Sequence, residues 1–403
     1  MKQLLILFML LAAGAQAQVA IKGGVVHTMD GPAITDGVVV VTDGRIAAVG
    51  PATEVDIPVG YRVLEAAVVT PGLIDAHSTV GLSGIYNVPA DQDMLDNGGP
   101  VQPELRAVDA YNPVEALVDW IRSFGVTTVH TGHAPGVPVS GQTMIVKTRG
   151  TIVSEAVVNE AVAVAATFTP PSFRLRGPDT PASTRAKTVA MLRQELIKAR
   201  EYARKHAEFD GEGSPPARNL RAETMARVLD GDLALMITAH KVRDITNALR
   251  LADEFELRLW LDGAGEAHQL LPAIKAAGVP VLLHPTMTRA FGSTESVSMT
   301  TAAQLAEAGI PFALQSGYEA YVPKTRVVLF EAAVAAGHGL GFEAALAAIT
   351  SEAAKVLGIA DRVGSLTVGK DGDLALYDGD PFEYTSHCTG VVIEGEVVSE
   401  IVR

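Results

Sequence analysis

The residues best placed to do chemistry lie in the segment 69–79, which reads Val-Thr-Pro-Gly-Leu-Ile-Asp-Ala-His-Ser-Thr. An apolar run broken at Pro71-Gly72 and closed by Asp75-Ala76-His77 describes a strand that delivers a histidine at its end. Alternate residues on a strand point the same way, so His77 and Thr79 share a side. Two imidazoles in those places would face one metal ion. Thr79 holds the second place, and its hydroxyl is a poor ligand for zinc or manganese. The chemistry such a pair of places could support is the holding of a divalent ion, and here only one of the two places offers an imidazole.

The elements that must position such a site can be read on either side of it. From Val19 to about Glu65 the pattern is short and β-like. Val25–Met29, Gly37–Val41 and Arg45–Val49 are separated by Asp-Gly or Gly-Pro turns. The same texture returns at Asp373–Tyr377 and at Val391–Val398, the latter a pair of strands joined across Glu394-Gly395-Glu396. Between the two ends, strand candidates (125–129, 234–238, 257–261, 279–283, 311–314) alternate with helix candidates (113–123, 182–206, 242–254, 268–277, 300–308, 343–357). Strand followed by helix, repeated, predicts a parallel α/β core of (β/α)8 barrel size. A doubly wound sheet is the rival topology, but it leaves two β-rich ends flanking one core unexplained. The stretches 81–112 and 209–220, rich in Gly, Pro and polar residues, read as long loops.

Composition bounds the rest. A chain of 403 residues, 48% hydrophobic, can bury a large core. Its single cysteine, Cys388, cannot form an internal disulfide. A formal net charge of -14 argues against a nucleic-acid partner. At the start, Met1-Lys2-Gln3 precede an apolar run from Leu4 through Ala13 and a small-x-small site at Ala15-Gln16-Ala17. That is the form of a signal peptide cleaved before Gln18, and it predicts a periplasmic or secreted protein with no membrane anchor after cleavage. The run is too short to span a bilayer.

With these motifs in hand, the chain resembles the amidohydrolase superfamily, in particular its exported imidazolonepropionase-like or dipeptidase-like branch. Besides the strand at Pro71, the likeness rests on Pro103–Pro113 (Pro-Glu-Leu-Arg-Ala-Val-Asp-Ala-Tyr-Asn-Pro), Gly125–Val129, Ser140-Gly141-Gln142, Leu357–Leu366 and Gly369–Leu374. It implies a signal peptide at 1–17, a (β/α)8 TIM-like barrel over 69–365, and a small β-sandwich domain built from 18–68 and 366–403. It also implies a hydrolase acting on carbon-nitrogen bonds of cyclic amides or peptides. Members of this kind use His-x-His after strand 1, often a lysine or glutamate after strand 4, histidines after strands 5 and 6, and an aspartate after strand 8. One or two divalent ions held there activate a water, and the final aspartate takes its proton.

Most of those places are exchanged here. His77 stands after strand 1 and His240 after strand 5, but Thr79, Gly263 and Gly317 occupy three others. The stretch 156–169 has no lysine, and its one carboxylate, Glu160, precedes the apolar run. His77 and His240 are the residual ligand positions. His284, ending the seventh strand candidate, and Glu319, two residues beyond Gly317, are the possible replacements. His130, His133, Glu266 and His268 also follow strands, where loop residues or helix-start carboxylates are the ordinary alternative. Lys147 reads as structural rather than as a phosphate or carboxylate clamp. Two imidazoles without a carboxylate hold a metal weakly, so no tightly bound cofactor is expected, and zinc or another divalent ion only if the site is rebuilt. The catalytic residues stay unknown at this level. Two readings follow: a C–N hydrolase with a depleted metal site, or a non-catalytic homologue that binds a small amide or peptide ligand or pairs with an active sister chain. A homo-oligomer, or a heteromer with that sister, is expected.

Overall fold

Both ends of the chain meet in one sheet. The computed structural model describes residues 18–86, 88–169, 184–284, 290, 292–318 and 327–403. At the N-terminal end, β1 (Val19–Val26), β2 (Ile34–Thr42), β3 (Arg45–Pro51) and β4 (Arg62–Pro71) form first. The barrel strands follow: β5 (Leu73–Ser78), β6 (Val126–Gly132), β7 (Val139–Lys147), β8 (Val157–Thr167), β9 (Ala234–Ala239), β10 (Leu259–Gly263), β11 (Val281–Leu283) and β12 (Phe312–Leu314). The chain ends in β13 (Leu374–Tyr377), β14 (Cys388–Ile393) and β15 (Glu396–Ser399). The end strands hydrogen-bond in the order β15-β14-β13-β4-β1-β2-β3, a seven-stranded sheet in which β13 pairs antiparallel with β4. The small β domain expected from both ends is therefore one continuous sheet. Val19, Ile21, Val39, Val41 and Leu376 share one apolar cluster in it, and the alternating Ala20, Val38 and Val40 another, as period-two side-chain geometry requires.

The eight inner strands run in the order β5 to β12, and a bridge between Ser78 and Gly317 brings the first beside the last. Inside, Ile74, Ala76, Ile145, Ala163, Ala165, Met236, Trp260, Leu282 and Ala313 pack as one cluster with Ala353, Val356 and Leu357. Alternate residues such as Leu235, Ile237, Leu259 and Leu261 belong to the larger cluster that includes the helices. Strands buried on both faces explain the unbroken apolar runs of the sequence.

Two local features depart from the alternating pattern. β7 runs antiparallel to both β6 and β8. Reversal needs only the short connection 133–138, whereas a parallel return would need a crossover of a dozen residues or more. The expected helix 343–357 is two helices, Phe342–Ala348 and Ser351–Leu357. At the break, the Thr350 hydroxyl donates to Leu346 O at 2.5 Å, and Ile349 O accepts from Ile74 N at 2.7 Å. The first barrel strand thus captures a carbonyl that a continuous helix would have used. Helices Leu220–Leu229 and Val328–Ala335 had no counterpart in the sequence reading. The 1–17 segment lies outside the described residues. Among the described residues, no helix is long and apolar enough to cross a membrane.

Candidate functional site

Strand ends at the C-terminal face of the barrel bring five polar side chains into one buried network. His77 lies next to the end of β5, Thr238 near the end of β9, Asp262 near the end of β10, and Gln315 and Ser316 follow β12. Nδ1 of His77 lies 2.8 Å from Asp262 Oδ1 and, facing a carboxylate, donates to it. The same oxygen accepts from Gln315 Nε2 at 2.7 Å, and Oδ2 accepts from the Thr238 hydroxyl at 2.5 Å. Gln315 is fixed in turn by donating to Leu282 O at 2.6 Å. Asp262 is a buried carboxylate whose two oxygens are filled by three donors.

The electrostatics follow from that geometry. Burial alone would raise the Asp262 pKa, but the charge and hydrogen bond of His77, with the bonds from Thr238 and Gln315, hold it well below the usual carboxylate range. Burial alone would lower His77, yet the charge and hydrogen bond of Asp262, with the charge of Asp75, raise it. The two form a buried ion pair. Asp75 sits beside it, accepting from Ser316 N at 3.0 Å and His77 N at 3.3 Å, and from the Ser316 hydroxyl. Burial outweighs these bonds and raises its pKa to about 6. His130 is the neutral neighbour: Nδ1 reaches Ala76 O at 2.6 Å and Nε2 reaches the Thr143 hydroxyl at 2.7 Å. Burial, with the charge of His77, lowers it to about 3.

His240, partly exposed beyond β9, has Nδ1 without a hydrogen-bond partner, and so has Nε2 of His77. Burial lowers the pKa of His240. His284 lies just past β11, with Nδ1 3.4 Å from Gln315 O. Thr79 is buried and accepts from the Ser83 hydroxyl at 2.8 Å, so it holds a loop. Glu266 caps the helix Val242–Phe255, accepting from Val242 N at 2.7 Å, and pairs with Lys241 at 3.1 Å. Glu319 lies outside the described residues.

The two glycines explain the shape of the pocket. Gly263 has φ +76° and Gly317 has φ +69°, both in the left-handed region. A Cβ on Gly263 would stand 2.4 Å from the His240 ring, and one on Gly317 would stand 2.8 Å from the His284 ring. His240 and His284 thus occupy the space that side chains at those two places would need.

A divalent ion, which the resemblance implies, can be tested against these donors. Catalytic zinc keeps three protein ligands and an open position. Among the described residues of the mouth, two ring nitrogens, His77 Nε2 and His240 Nδ1, have no hydrogen-bond partner, the adjacent carboxylate of Asp262 is saturated, and His77 carries a proton that Asp262 stabilises. Among the described residues no three of His, Cys, Asp and Glu come together in a way that could hold a metal ion. The residues present do not fit the group.

Sequence reasoning found His77, His240 and His284 but passed over Asp262, Asp75, Gln315 and Thr238. The available signal was alternation: Asp262 stands two residues after the inward Trp260, so it had to share its side. Lys147, read as structural, pairs at the opposite end of the barrel with Asp371 at 3.0 Å and with Asp373.

Comparison with known proteins matches residues 91–399 to the family described as Amidohydrolase family. The imidazolonepropionase of Stenotrophomonas maltophilia is 27% identical over 380 residues, 88% of this chain and 89% of that one. The imidazolonepropionase of Paracoccus denitrificans is 26% identical over 372 residues, 86% of this chain and 88% of its own. Among solved structures, an amidohydrolase from Thermotoga maritima superposes with a TM-score of 0.89 at 28% identity, over 95% of this chain and all of that one.

Proposed function

The chain belongs to the amidohydrolase family, and we propose that it is a member whose barrel mouth binds a small amide- or peptide-like ligand without metal-dependent hydrolysis. The family's chemistry would be cleavage of a carbon-nitrogen bond by metal-activated water. One observation carries the departure from it. The space beside Gly263 and Gly317 is filled by His240 and His284, and the carboxylate paired with His77, Asp262, spends both oxygens on His77, Gln315 and Thr238. Loss of a positioned general base alone costs roughly 10²–10⁴ in rate. Here the ligands and the base are exchanged together, so the mouth retains polar groups that orient a ligand and none that activates water by that route.

A second reading is a hydrolase with a rebuilt centre. Its support is the pair of partnerless nitrogens, His77 Nε2 and His240 Nδ1, which a third ligand would complete. One assay separates the two. The purified chain is incubated with excess zinc or manganese and given a panel of cyclic amides and dipeptides. The first reading expects no turnover above buffer containing the same metals. Turnover that a chelator abolishes and metal restores overturns it in favour of the second.

A further inference from the structure

Charge is unevenly spread over the surface of this chain. The helix Arg185–Ala207 carries seven Lys or Arg residues against two Glu, in a chain whose formal net charge is -14. Lys187, Lys198 and Lys205 are exposed and stand 11 and 7 residues apart, close to three and two whole turns, so they form one row along the helix. Lys198 reaches Glu195 at 2.8 Å, while Lys187 and Lys205 make no ion pair among the described residues. Tyr202, one turn beyond Lys198, donates to Glu223 of the helix Leu220–Leu229 at 3.0 Å. The row therefore borders that second helix. On another side of the first, Arg193 reaches Glu254 of the helix Val242–Phe255 at 2.8 Å.

Across the second helix the sign reverses. Its Arg221 reaches Glu104 at 3.0 Å, and its Thr224 hydroxyl accepts from Gln142 Nε2 at 3.1 Å, which fixes it against β7 and the segment that carries Glu104. Asp93, Asp96 and Asp109 of that segment are exposed and border one cleft with Glu104. Arg106, which also lines the cleft, is taken up by Glu160 at 3.1 Å and Asp109 at 3.9 Å. One face of the molecule thus runs from a basic row, over one helix, to an acidic loop. Exposed apolar side chains accompany both halves: Ile197 and Leu220 on the helices, and Tyr86 and Val88 on the turn held by Asp91.

We propose that this face pairs two copies of the chain about a two-fold axis, the basic row of each copy meeting the acidic loop of the other. A two-fold contact uses the same patch twice and must be self-complementary. A patch that is positive on one side and negative on the other meets that condition, because the rotation lays each half on its opposite. Two chains of net charge -14 repel overall, so a contact that sets opposite charges face to face is favoured over its competitors. The row spans about 27 Å at a helix rise of about 1.5 Å per residue, and a standard interface of roughly 800 Å² per partner is about that wide. The apolar residues are needed as well, since interfacial charges steer and orient more than they bind. The pairing is independent of whether the barrel mouth hydrolyses anything.

Sedimentation velocity of the purified chain at micromolar concentration and low salt should show a dimer. Molar salt, which shortens the screening length to about 3 Å, should shift it toward monomer. Two variants each reverse one half of the face: Lys187→Glu/Lys198→Glu/Lys205→Glu, and Asp93→Lys/Asp109→Lys. Asp96 is left in place because it accepts from Gly98 N at 2.6 Å. The five positions are exposed, and circular dichroism with thermal melting checks that both variants fold. Each variant alone should be monomeric, since like charges then meet across the axis. Mixed in equal amounts, they should form a dimer with one chain of each, because both contacts of the axis again join opposite charges. If the lysine reversal costs the fold, Lys187→Gln/Lys198→Gln/Lys205→Gln should still weaken the dimer by about tenfold or more. A monomeric parent chain overturns the proposal. So does a folded reversed variant that dimerises as the parent does, a neutral set that leaves the dimer unchanged, or two folded monomeric variants that fail to pair when mixed.

Discussion

The two ends of the barrel carry buried charge in contrasting ways. At the foot, Lys147 of β7 pairs with Asp371 and Asp373, while Arg362 reaches Asp371 at 2.9 Å and Arg45 reaches it at 2.7 Å. Asp373 Oδ1 also accepts from Glu394 N at 2.9 Å. Barrel and terminal sheet are stapled there by residues from four separate stretches of chain. At the mouth, the His77–Asp262 pair is equally buried, but His77 Nε2 and His240 Nδ1 end without partners. Buried ion pairs stabilise little in net terms, yet breaking one leaves a costly lone charge. At the foot each buried carboxylate has a cation beside it, Asp371 Oδ1 meeting Arg45 as an ion pair without a hydrogen bond. The mouth is built around groups that have something left to bind.

That contrast can be broken first at the foot. Lys147→Ala would leave buried Asp373 without a cation, while Asp371 keeps Arg362 and Arg45, and we expect a loss of about 3–5 kcal/mol in denaturant unfolding. A loss below 1 kcal/mol would mean that the foot is not the staple it looks like. At the mouth the corresponding change is Asp262→Asn, which keeps the shape but removes the charge that holds His77. A loss of about 2–3 kcal/mol is expected, with the His77 pKa falling below its value in the parent protein by NMR titration. An unchanged His77 titration would show that the two are not a pair. Third, Gly317→Asp, which supplies a carboxylate where relatives of this kind carry one, should cost about 1–3 kcal/mol through its left-handed backbone and the His284 ring. It should not create a metal site. Zinc binding gained by this change alone would refute the filled-pocket picture.

The smallest effect is one of pH. Asp75 has its pKa raised to about 6 by burial, so the folded chain holds this proton more tightly than the unfolded chain does. Its contribution to stability is complete below the unfolded value near 4 and is lost as pH rises through about 6. Asp75→Asn should remove that part of the slope in melting temperature between pH 4 and pH 7, and a slope that persists unchanged would assign it to other groups.

The same contrast decides what could be read from sequence. The foot was legible in its parts, since Gly369-Lys370-Asp371-Gly372-Asp373-Leu374 is a local run marking the return to the β domain and Lys147 read as structural, but their pairing joins residues more than 200 apart and was not read. The barrel was legible from its apolar strands, although the reversed β7 hid in a Gly- and Ser-containing stretch that lacks a strand's usual start. The mouth was half legible. His77 and His240 stand at strand ends and could be counted, and Gly263 and Gly317 could be seen as exchanges. What the exchanges did to the space could not be seen. That depends on two backbone angles and on ring positions set by strands 20 or more residues apart in the chain, as His284 and Gly317 are. Asp262 was missed because a carboxylate closing an apolar strand looks like the start of a loop until the neighbouring strand places His77 against it.

The central claim is that the mouth of this barrel is not a metal centre. The most direct measurement is the zinc and manganese content of the purified chain after incubation with excess metal and exhaustive dialysis, read by elemental analysis. The account predicts far less than one ion per chain. One firmly held ion per chain, lost on His77→Ala or His240→Ala, would contradict it.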